Sequence, residues 1–438
     1  MPSAERGGRV HGHPSAGKKW AGGHVIRTEA SDEERQDDIN QCLERSFVSE
    51  LTRVDTPAFV YLDAVLEANL DEYLSFLTPL GVDLLYSAKP CTLDFVVRAC
   101  ARRTAGIDVS SPGEAQLVRE ILGGTVPLHF TSPGLSARNW DVVADVADYV
   151  NVNSLSMLEW LHANESGPRP RLGLRVNTGH SVAADTRYDP ARPGSKLGVP
   201  PVLFEEWVSE VSDSFISGLH FHIGCESSTY GATVASLTWL MQVAAPLLAG
   251  LEYVNIGGGW LRPSGMDDLD DFCATIGKLR ACGVQSIFTE PGTGLIRDAG
   301  LLVTRVTDVI DSGVGMVAVV DSHVGHAPET FEYDWAPDLY APGNEVIAEG
   351  GYEYEVVGCT PLAGDIFGRY RFPRPLEIGQ PFFFHLLGAY AFARAAPFTG
   401  VLLPSLYRIT QAGELVAVKD PEFSWYRDLW RTNAIDQA

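Results

Sequence analysis

The hydrophobic pattern from Ala58 to about residue 310 consists of short apolar runs, bounded by Gly or Pro, that alternate with longer segments of helical periodicity. This alternation is typical of parallel β/α proteins, in which a buried strand is followed by a covering helix. Eight runs are strand candidates: residues 84–87, 106–109, 128–131, 149–151, 171–176, 217–222, 253–256 and 286–289. Helices such as residues 92–103 and 111–122 lie between them. The pattern therefore predicts a (β/α)8 barrel, an α/β fold.

The pattern changes on both sides of this region. After about residue 302, the segments 302–311, 316–321, 352–357, 381–386 and 403–409 look like strands, with turns and no long helices between them, which indicates a separate β domain. The first thirty residues have no hydrophobic period and are typical of a flexible tail. A helix is expected over residues 31–51, where Ser31-Asp32-Glu33-Glu34 resembles a capping box. We predict a tail and helix over 1–50, the barrel over 51–305 and the β domain over 306–438.

Composition narrows the possible partners. The 438 residues are 45% hydrophobic and carry a net charge of −23, which argues against nucleic acid and anionic membranes as partners. The seven cysteines form no CxxC pair and have no metal-ligand spacing, so we expect reduced thiols, a cytoplasmic protein and no metal. No apolar run reaches the roughly 20 residues of a membrane helix.

Polar residues follow most of the predicted barrel strands, where the active sites of such barrels lie. They are Lys89, Asp108, Arg175, Asn177, His222 with Gly224 and Cys225, the triplet Gly257-Gly258-Gly259, and Glu290-Pro291-Gly292. A lysine in a pocket at a strand end is expected to have a lowered pKa, so that its amine can condense with an aldehyde. Three glycines after a strand let backbone N–H groups approach a phosphate. Lysine, phosphate site and carboxylate together predict pyridoxal 5'-phosphate (PLP) as cofactor.

Five motifs resemble those of the fold-type III PLP enzymes, the family of alanine racemase and of diaminopimelate and ornithine decarboxylases. They are Tyr86-Ser87-Ala88-Lys89, Phe221-His222-Ile223-Gly224-Cys225, Gly257-Gly258-Gly259, Glu290-Pro291-Gly292 and Gly388-Ala389-Tyr390. The resemblance implies that Lys89 is bound covalently to PLP, that His222 stacks on the pyridine ring, and that the glycines and Tyr390 contact the cofactor. Cys225 stands where the family has a serine that contacts phosphate. The resemblance also implies a homodimer in which the β domain contributes to the interface and to shared active sites.

Glu290 distinguishes two branches of this family. The resemblance places it beside the pyridine nitrogen, where a carboxylate keeps the ring protonated and favours decarboxylation; alanine racemases carry an arginine there. Thr293 replaces an arginine of the ornithine and diaminopimelate branches. We therefore expect a PLP-dependent amino-acid decarboxylase. A racemase or epimerase, or a non-catalytic PLP-binding protein of the same fold, remains as an alternative.

Further segments resemble the carboxynorspermidine decarboxylases, among them residues 219–226, 188–198, 326–329 and 362–365. This resemblance implies a basic or carboxylated polyamine-like substrate, for which the acidic partners would be Glu329, Glu332, Asp334 and Asp365. Where the decarboxylases carry Gly-Pro-Thr-Cys, with a cysteine that protonates the product across the dimer interface, this chain reads Gly358-Cys359-Thr360-Pro361. Since proline carries no transferable proton, the expected donor is Cys359, His222 or water.

Overall fold

The computed structural model describes residues 45–164, 170–181, 183, 186–211, 215–263 and 266–432. The predicted tail and most of the predicted helix over residues 31–51 lie outside these ranges. The last part of that helix is present as α1 (Arg45–Leu51), which is followed by β1 (Ala58–Leu62) and α2 (Asp63–Leu80).

A closed barrel of eight parallel strands follows. The strands are β2 (Val82–Ser87), β3 (Gly106–Val109), β4 (Leu128–Thr131), β5 (Tyr149–Val152), β6 (Arg171–Arg175), β7 (Gly218–His220), β8 (Tyr253–Asn255) and β9 (Ser286–Thr289). The helices after them are α3 (Asp94–Ala101), α4 (Pro112–Leu122), α5 (Trp140–Val146), α6 (Leu155–Asn164), α7 (Pro201–Glu210), α8 (Gly231–Val243), α9 (Ala245–Leu248), α10 (Leu269–Ala281) and α11 (Thr293–Ile296). β2 pairs with both β3 and β9, which closes the barrel. The predicted barrel is confirmed, and each of the eight predicted strands overlaps one barrel strand.

The remaining strands form a mixed sheet of nine strands. Its members after the barrel are β10 (Gly300–Asp311), β11 (Met316–Val320), β12 (Leu339–Tyr340), β13 (Tyr352–Val357), β14 (Ile366–Phe372), β15 (Pro381–Phe384), β16 (Ser405–Ile409) and β17 (Leu415–Lys419). Together with β1, most of these strands run in the order β14-β13-β11-β10-β1-β16-β17. Of the two remaining strands, β15 pairs with β10 and β12. The short helices α12 (Pro328–Tyr333), α13 (Ala391–Arg394) and α14 (Phe423–Trp430) lie between or after these strands. The predicted C-terminal β domain is confirmed.

The ninth strand of this sheet comes from before the barrel. β1 pairs antiparallel with β10 and parallel with β16, although its residues fall in the segment assigned to the barrel. All five of its residues are buried, so it lacks the alternation that marks a strand with one exposed face. None of the helices in the described ranges is both long and apolar enough to cross a membrane.

Candidate active site

The interior of the barrel is divided into an aromatic layer and a polar layer. Leu85, Tyr253 and Phe288 are buried together, with Tyr149 packed against them. Because successive side chains of a strand point to opposite faces, the residues two positions further along these strands also point inward, nearer the carboxyl end of the barrel. These residues are Ser87, Asn151, Asn255 and Glu290. The polar layer therefore forms the floor of a site at the end where barrel enzymes carry out their chemistry.

A cavity of about 560 Å³ opens above this floor. Its walls include six of the predicted site residues together with the loop between β6 and α7. The six are Lys89, Asp108, Arg175, His222, Cys225 and Glu290. The fold thus brings together side chains that come from five different strand ends.

Lys89 lies two residues beyond β2, and the preceding Ala88 N–H donates to the Asp108 carbonyl at 2.9 Å. Its side chain is accessible from the cavity, whose walls surround it. Burial lowers the pKa of Lys89, but the neighbouring Tyr390, Glu290 and Asp108 raise it by more, so the pKa lies above its usual value. The expected lowering is therefore wrong for the protein without its cofactor, because acidic neighbours outweigh desolvation.

Asp108 and Arg175 are buried and only partly satisfied. Asp108 Oδ2 accepts from the Ser87 hydroxyl at 3.2 Å, whereas Asp108 Oδ1 and Arg175 Nε have no hydrogen-bond partner within the described residues. Burial, followed by the nearby Glu290, raises the pKa of Asp108 well above its usual range. Burial also lowers the pKa of Arg175. Unsatisfied buried polar atoms are costly, and two residues that carry such atoms line the same cavity, which favours a polar ligand there.

Glu290 is 5% exposed, and both of its carboxylate oxygens accept hydrogen bonds. His220 Nε2 lies 2.9 Å from Oε1, and Asn255 Nδ2 donates to Oε2 at 2.8 Å. Burial alone would raise the pKa of Glu290, but pairing with His220 and the proximity of His222 and Lys89 hold it well below its usual range. The site therefore contains a buried carboxylate that is ionised at neutral pH.

His222 lies half-buried on the cavity wall. The Gly258 N–H donates to its Nδ1 at 3.2 Å, so this nitrogen acts as an acceptor and carries no proton. Burial, with the charges of Lys89 and Arg175, holds the pKa of His222 well below its usual value. A neutral imidazole with a fixed tautomer is therefore exposed to the cavity.

The glycine triplet packs against its neighbours more closely than any other residue would allow. A Cβ on Gly257 would overlap the Phe221 carbonyl, and one on Gly258 would come within 2.6 Å of the Glu290 carbonyl oxygen. The Gly257 N–H donates to Asn255 Oδ1 at 2.9 Å, and the Gly258 N–H is used by His222. Two of the three amides expected to hold phosphate are thus engaged within the protein.

The last glycine of the triplet and two further glycines of the predicted site, Gly224 and Gly292, also lie in close contacts. A Cβ on Gly259 would overlap the Gly224 carbonyl, and one on Gly292 would come within 2.7 Å of the Pro90 ring. These glycines allow the loops after β2, β7, β8 and β9 to meet around the cavity.

The β domain supplies a side chain to the same site. The Tyr390 N–H donates to the carbonyl of Pro90, the residue after Lys89, at 2.9 Å. Thr293 forms a side-chain hydrogen bond with Tyr390, and Cys225 and Lys89 are electrostatic neighbours of the phenol. Thr293, which replaces the family arginine, thus positions a tyrosine that faces Lys89.

A cluster of three acidic residues, Glu226, Glu329 and Glu332, lies beside this cavity, where α12 meets the loop after β7. Glu226 pairs with Arg297 at 3.0 Å, and Glu332 pairs with Arg394. Glu329, in the first turn of α12, forms no hydrogen bond or ion pair with any described residue. Burial, followed by the charge of Glu226, raises the pKa of Glu329 to about 7.

Two observations place this acidic cluster next to the cavity. The Tyr188 ring, on the cavity wall, packs edge-on against Tyr333 of α12 with centroids 4.7 Å apart. Glu329 is also an electrostatic neighbour of Cys225 and Tyr390. Asp334, at the end of α12, is exposed.

Asp365 and Cys359 lie elsewhere in the β domain. Asp365 is buried and accepts from the Val324 N–H at 2.8 Å, the Thr360 N–H at 3.0 Å and the Thr360 hydroxyl at 2.5 Å. Cys359 is exposed, and burial of part of its side chain together with Asp365 raises its pKa. Neither residue lines the cavity around Lys89 in the same chain. Asp365 holds the 358–365 loop in shape, and Cys359 projects from that loop.

His220 and Asn255 contact Glu290, and the sequence motifs assigned neither of them a role. Both end barrel strands and are paired in register, His220 opposite Asn255. Their inward direction follows from the two-residue period of β7 and β8, counted from Gly218 and Tyr253. The two-residue period is thus the feature of the sequence from which the inward direction of both side chains could have been predicted.

The donor set fits PLP. Lys89 offers an amine, Glu290 an ionised carboxylate for the ring nitrogen, and His222 a flat neutral ring, while Asp108 and Arg175 hold unused polar atoms. When bound, PLP supplies an electron sink that accepts the electron pair left by a departing carboxylate.

Comparison with known proteins agrees with this assignment. Carboxyaminopropylagmatine decarboxylase of Synechocystis is 27% identical over 87% of this chain and 94% of its own length. Carboxynorspermidine/carboxyspermidine decarboxylase of Herminiimonas arsenicoxydans is 28% identical over 85% of this chain and 98% of its own. The crystal structure of carboxynorspermidine decarboxylase from Campylobacter jejuni, in complex with norspermidine, superposes with a TM-score of 0.74, 23% identity, and coverage of 85% of this chain and 99% of that one. Residues 65–296, more than half of the chain, match the pyridoxal-binding domain of the pyridoxal-dependent decarboxylases, and the chain belongs to this family.

Proposed function

We propose that this PLP-dependent decarboxylase acts on an α-amino acid whose side chain carries one or more cationic amines, such as a carboxylated polyamine. The observation that carries this proposal is Glu329, a carboxyl group beside the cavity that forms no direct ion pair with any described residue, although the charges of Arg297 and Arg394 offset part of the rise in its pKa. Its acidic neighbours Glu226 and Glu332 are each paired with an arginine. A substrate ammonium would supply the missing partner.

The position of Glu329 relative to the cavity supports the same substrate class. Lys89, Glu290 and Asp108 line the barrel side of the cavity, and Glu329 lies near Cys225 and Tyr390 on the side of the β domain. A substrate whose α-carbon is at Lys89 would extend its amine-bearing chain towards Glu329. The relatives named for carboxynorspermidine, carboxyspermidine and carboxyaminopropylagmatine support this substrate class.

The chain's own residues then have distinct roles. Lys89 would hold the cofactor through its amine. Glu290 would keep the ring nitrogen protonated, and the neutral His222 would offer its flat ring to the cofactor. Asp108 and Arg175, which line the same cavity, would bind polar groups of the ligand. These roles favour loss of CO2, because a protonated ring stabilises the negative charge that develops in the transition state.

A panel of amino acids tests the reaction and its substrate class. Carboxynorspermidine and carboxyspermidine should release CO2 and give the corresponding amine by mass spectrometry, with kcat/KM at least about tenfold above L-ornithine or diaminopimelate. Faster turnover of diaminopimelate would contradict the substrate class. Inversion of the amino acid without CO2 would contradict the reaction.

Glu329→Gln tests the anchoring residue. Loss of one charged partner should raise KM for the polyamine substrates about tenfold and change kcat little. Glu206→Gln, an exposed carboxylate on α7, serves as the matched control and should leave both constants unchanged. An unchanged KM in Glu329→Gln would remove this residue from substrate binding.

We also propose that the protein is a cytoplasmic homodimer and that Cys359 reaches the partner's cavity to donate the last proton. The position of Cys359 on an exposed loop, away from Lys89 of its own chain, supports this arrangement, and free thiols agree with a reducing compartment. Mixing inactive Lys89→Ala with Cys359→Ala should restore about a quarter of wild-type activity, because half of the dimers would contain one intact site. Full turnover by Cys359→Ala alone would exclude the thiol.

A further inference from the structure

His220 is the most deeply buried ionisable side chain that touches the catalytic carboxylate. Its exposure is 0%, and its Nε2 lies 2.9 Å from Glu290 Oε1. The ladder between β7 and β8 places it opposite Asn255, whose Nδ2 contacts the other oxygen at 2.8 Å. Two neighbouring strands thus hold Glu290 from the same level of the barrel.

The orientation of the Asn255 amide is fixed by its second hydrogen bond. Its Oδ1 accepts from the Gly257 N–H at 2.9 Å, so its NH2 group must face Glu290. Each oxygen of Glu290 therefore accepts one hydrogen bond from below and keeps a free lone pair. Those lone pairs are what a ring N–H could use.

The protonation state of His220 follows from its surroundings. Its Nδ1 is buried and has no partner within the described residues. A cationic imidazole would bury an N–H there without an acceptor, which is costly. Burial also lowers the pKa of His220, and Glu290 offsets this only in part. The ring is thus neutral, and its single proton lies on Nε2, which faces the carboxylate.

His222 does not duplicate this role. Its Nδ1 lies 3.9 Å from the same oxygen of Glu290, but that nitrogen accepts the Gly258 N–H and has no proton to give. Of the two histidines of the His-Phe-His segment, only His220 is a donor to Glu290.

We propose that His220 is a positioning residue: as a neutral donor it aims Glu290 at the cofactor's ring nitrogen, together with Asn255, without cancelling the carboxylate's charge. A cation at this position would neutralise Glu290, and an apolar residue would leave one oxygen without its donor. This inference rests on Glu290 as the partner of the ring nitrogen.

Two variants separate hydrogen bonding from packing. His220→Gln keeps an N–H near the position of Nε2, whereas His220→Leu removes it. With PLP labelled with 15N at the ring nitrogen, NMR of the holoenzyme should report a protonated ring in the wild type and in His220→Gln, and loss of that proton in His220→Leu. In parallel, kcat should fall about a hundredfold in His220→Leu and less than about fivefold in His220→Gln. A protonated ring in His220→Leu, or equal losses in both variants, would overturn the proposal.

A measurement on the cofactor-free wild type is independent of substrate, turnover and the folding of variants. Histidine 15N NMR at neutral pH should show His220 protonated on Nε2 alone. A doubly protonated ring, or a proton on Nδ1, would overturn the proposal even if the decarboxylase assignment and its substrate class stand.

Discussion

Replacing Glu329 by glutamine removes a carboxyl group whose pKa is raised by burial and by Glu226, and this change should make the folded protein more stable above pH 7. In the unfolded chain the group ionises near its ordinary value of 4.5, whereas in the folded protein it ionises at about 7. Between these values the folded state binds more protons than the unfolded state. The stability of the wild type therefore falls as the pH rises from about 4.5 to 7 and is constant above that range as far as Glu329 is concerned.

The size of the effect follows from the same two values. A rise from 4.5 to about 7 corresponds to about 3 kcal/mol of unfolding free energy once the group is ionised. Rearrangement of the neighbouring arginines will reduce this, so we expect Glu329→Gln to be about 1–3 kcal/mol more stable than the wild type at pH 8.5. At pH 4.5 the ionisation of Glu329 contributes almost no difference.

Urea unfolding of both proteins at several pH values, followed by intrinsic fluorescence, measures this difference. Glu332→Gln is the control, because it removes an exposed carboxylate that pairs with Arg394 and should lower stability by less than about 1 kcal/mol. A difference between Glu329→Gln and the wild type that stays constant from pH 4.5 to 8.5 would refute the electrostatic reasoning for this cluster.

Two other substitutions test the packing of the site. Gly258→Ala places a Cβ within 2.6 Å of the Glu290 carbonyl oxygen. It should therefore lower the free energy of unfolding in urea by about 2 kcal/mol or more, and weaken PLP binding at least about tenfold in a fluorescence titration. Native affinity for PLP would show that the loops can move apart. Asp365→Ala removes the acceptor for the Thr360 and Val324 groups and should destabilise the protein by about 2–4 kcal/mol in thermal unfolding, with faster proteolysis of the 358–365 loop. An unchanged cleavage rate there would contradict the assigned role of Asp365.

The barrel was predictable from the sequence because each of its strands is a short buried run between turn residues. Runs such as 106–109 and 128–131 match β3 and β4 at both ends. Strand β1 was not predicted as part of the second sheet, because a fully buried run carries no information about its partners. Its pairing with β10 and β16 depends on contacts across more than 230 residues of chain.

The site was predictable where a residue ends a strand within a recognisable motif. Lys89, Asp108, His222 and Glu290 meet around one cavity as expected. The raised pKa of Lys89 was not predictable, since it depends on the combined charge of neighbours from three other elements.

The contribution of His220 and Asn255 could be seen only once the strand register was known. Their side chains meet Glu290 because β7, β8 and β9 are adjacent and aligned. The use of the Gly257 and Gly258 amides within the protein likewise depends on loops that approach each other in space.

We expect Lys89 to hold PLP at the centre of this site. Borohydride reduction of the holoenzyme, followed by proteolysis and mass spectrometry, would fix the cofactor on the residue that binds it. We expect a cofactor-derived mass on the peptide that contains Lys89, and none in Lys89→Ala. A label on Lys196, which also lines the cavity, or on no lysine at all, would contradict it.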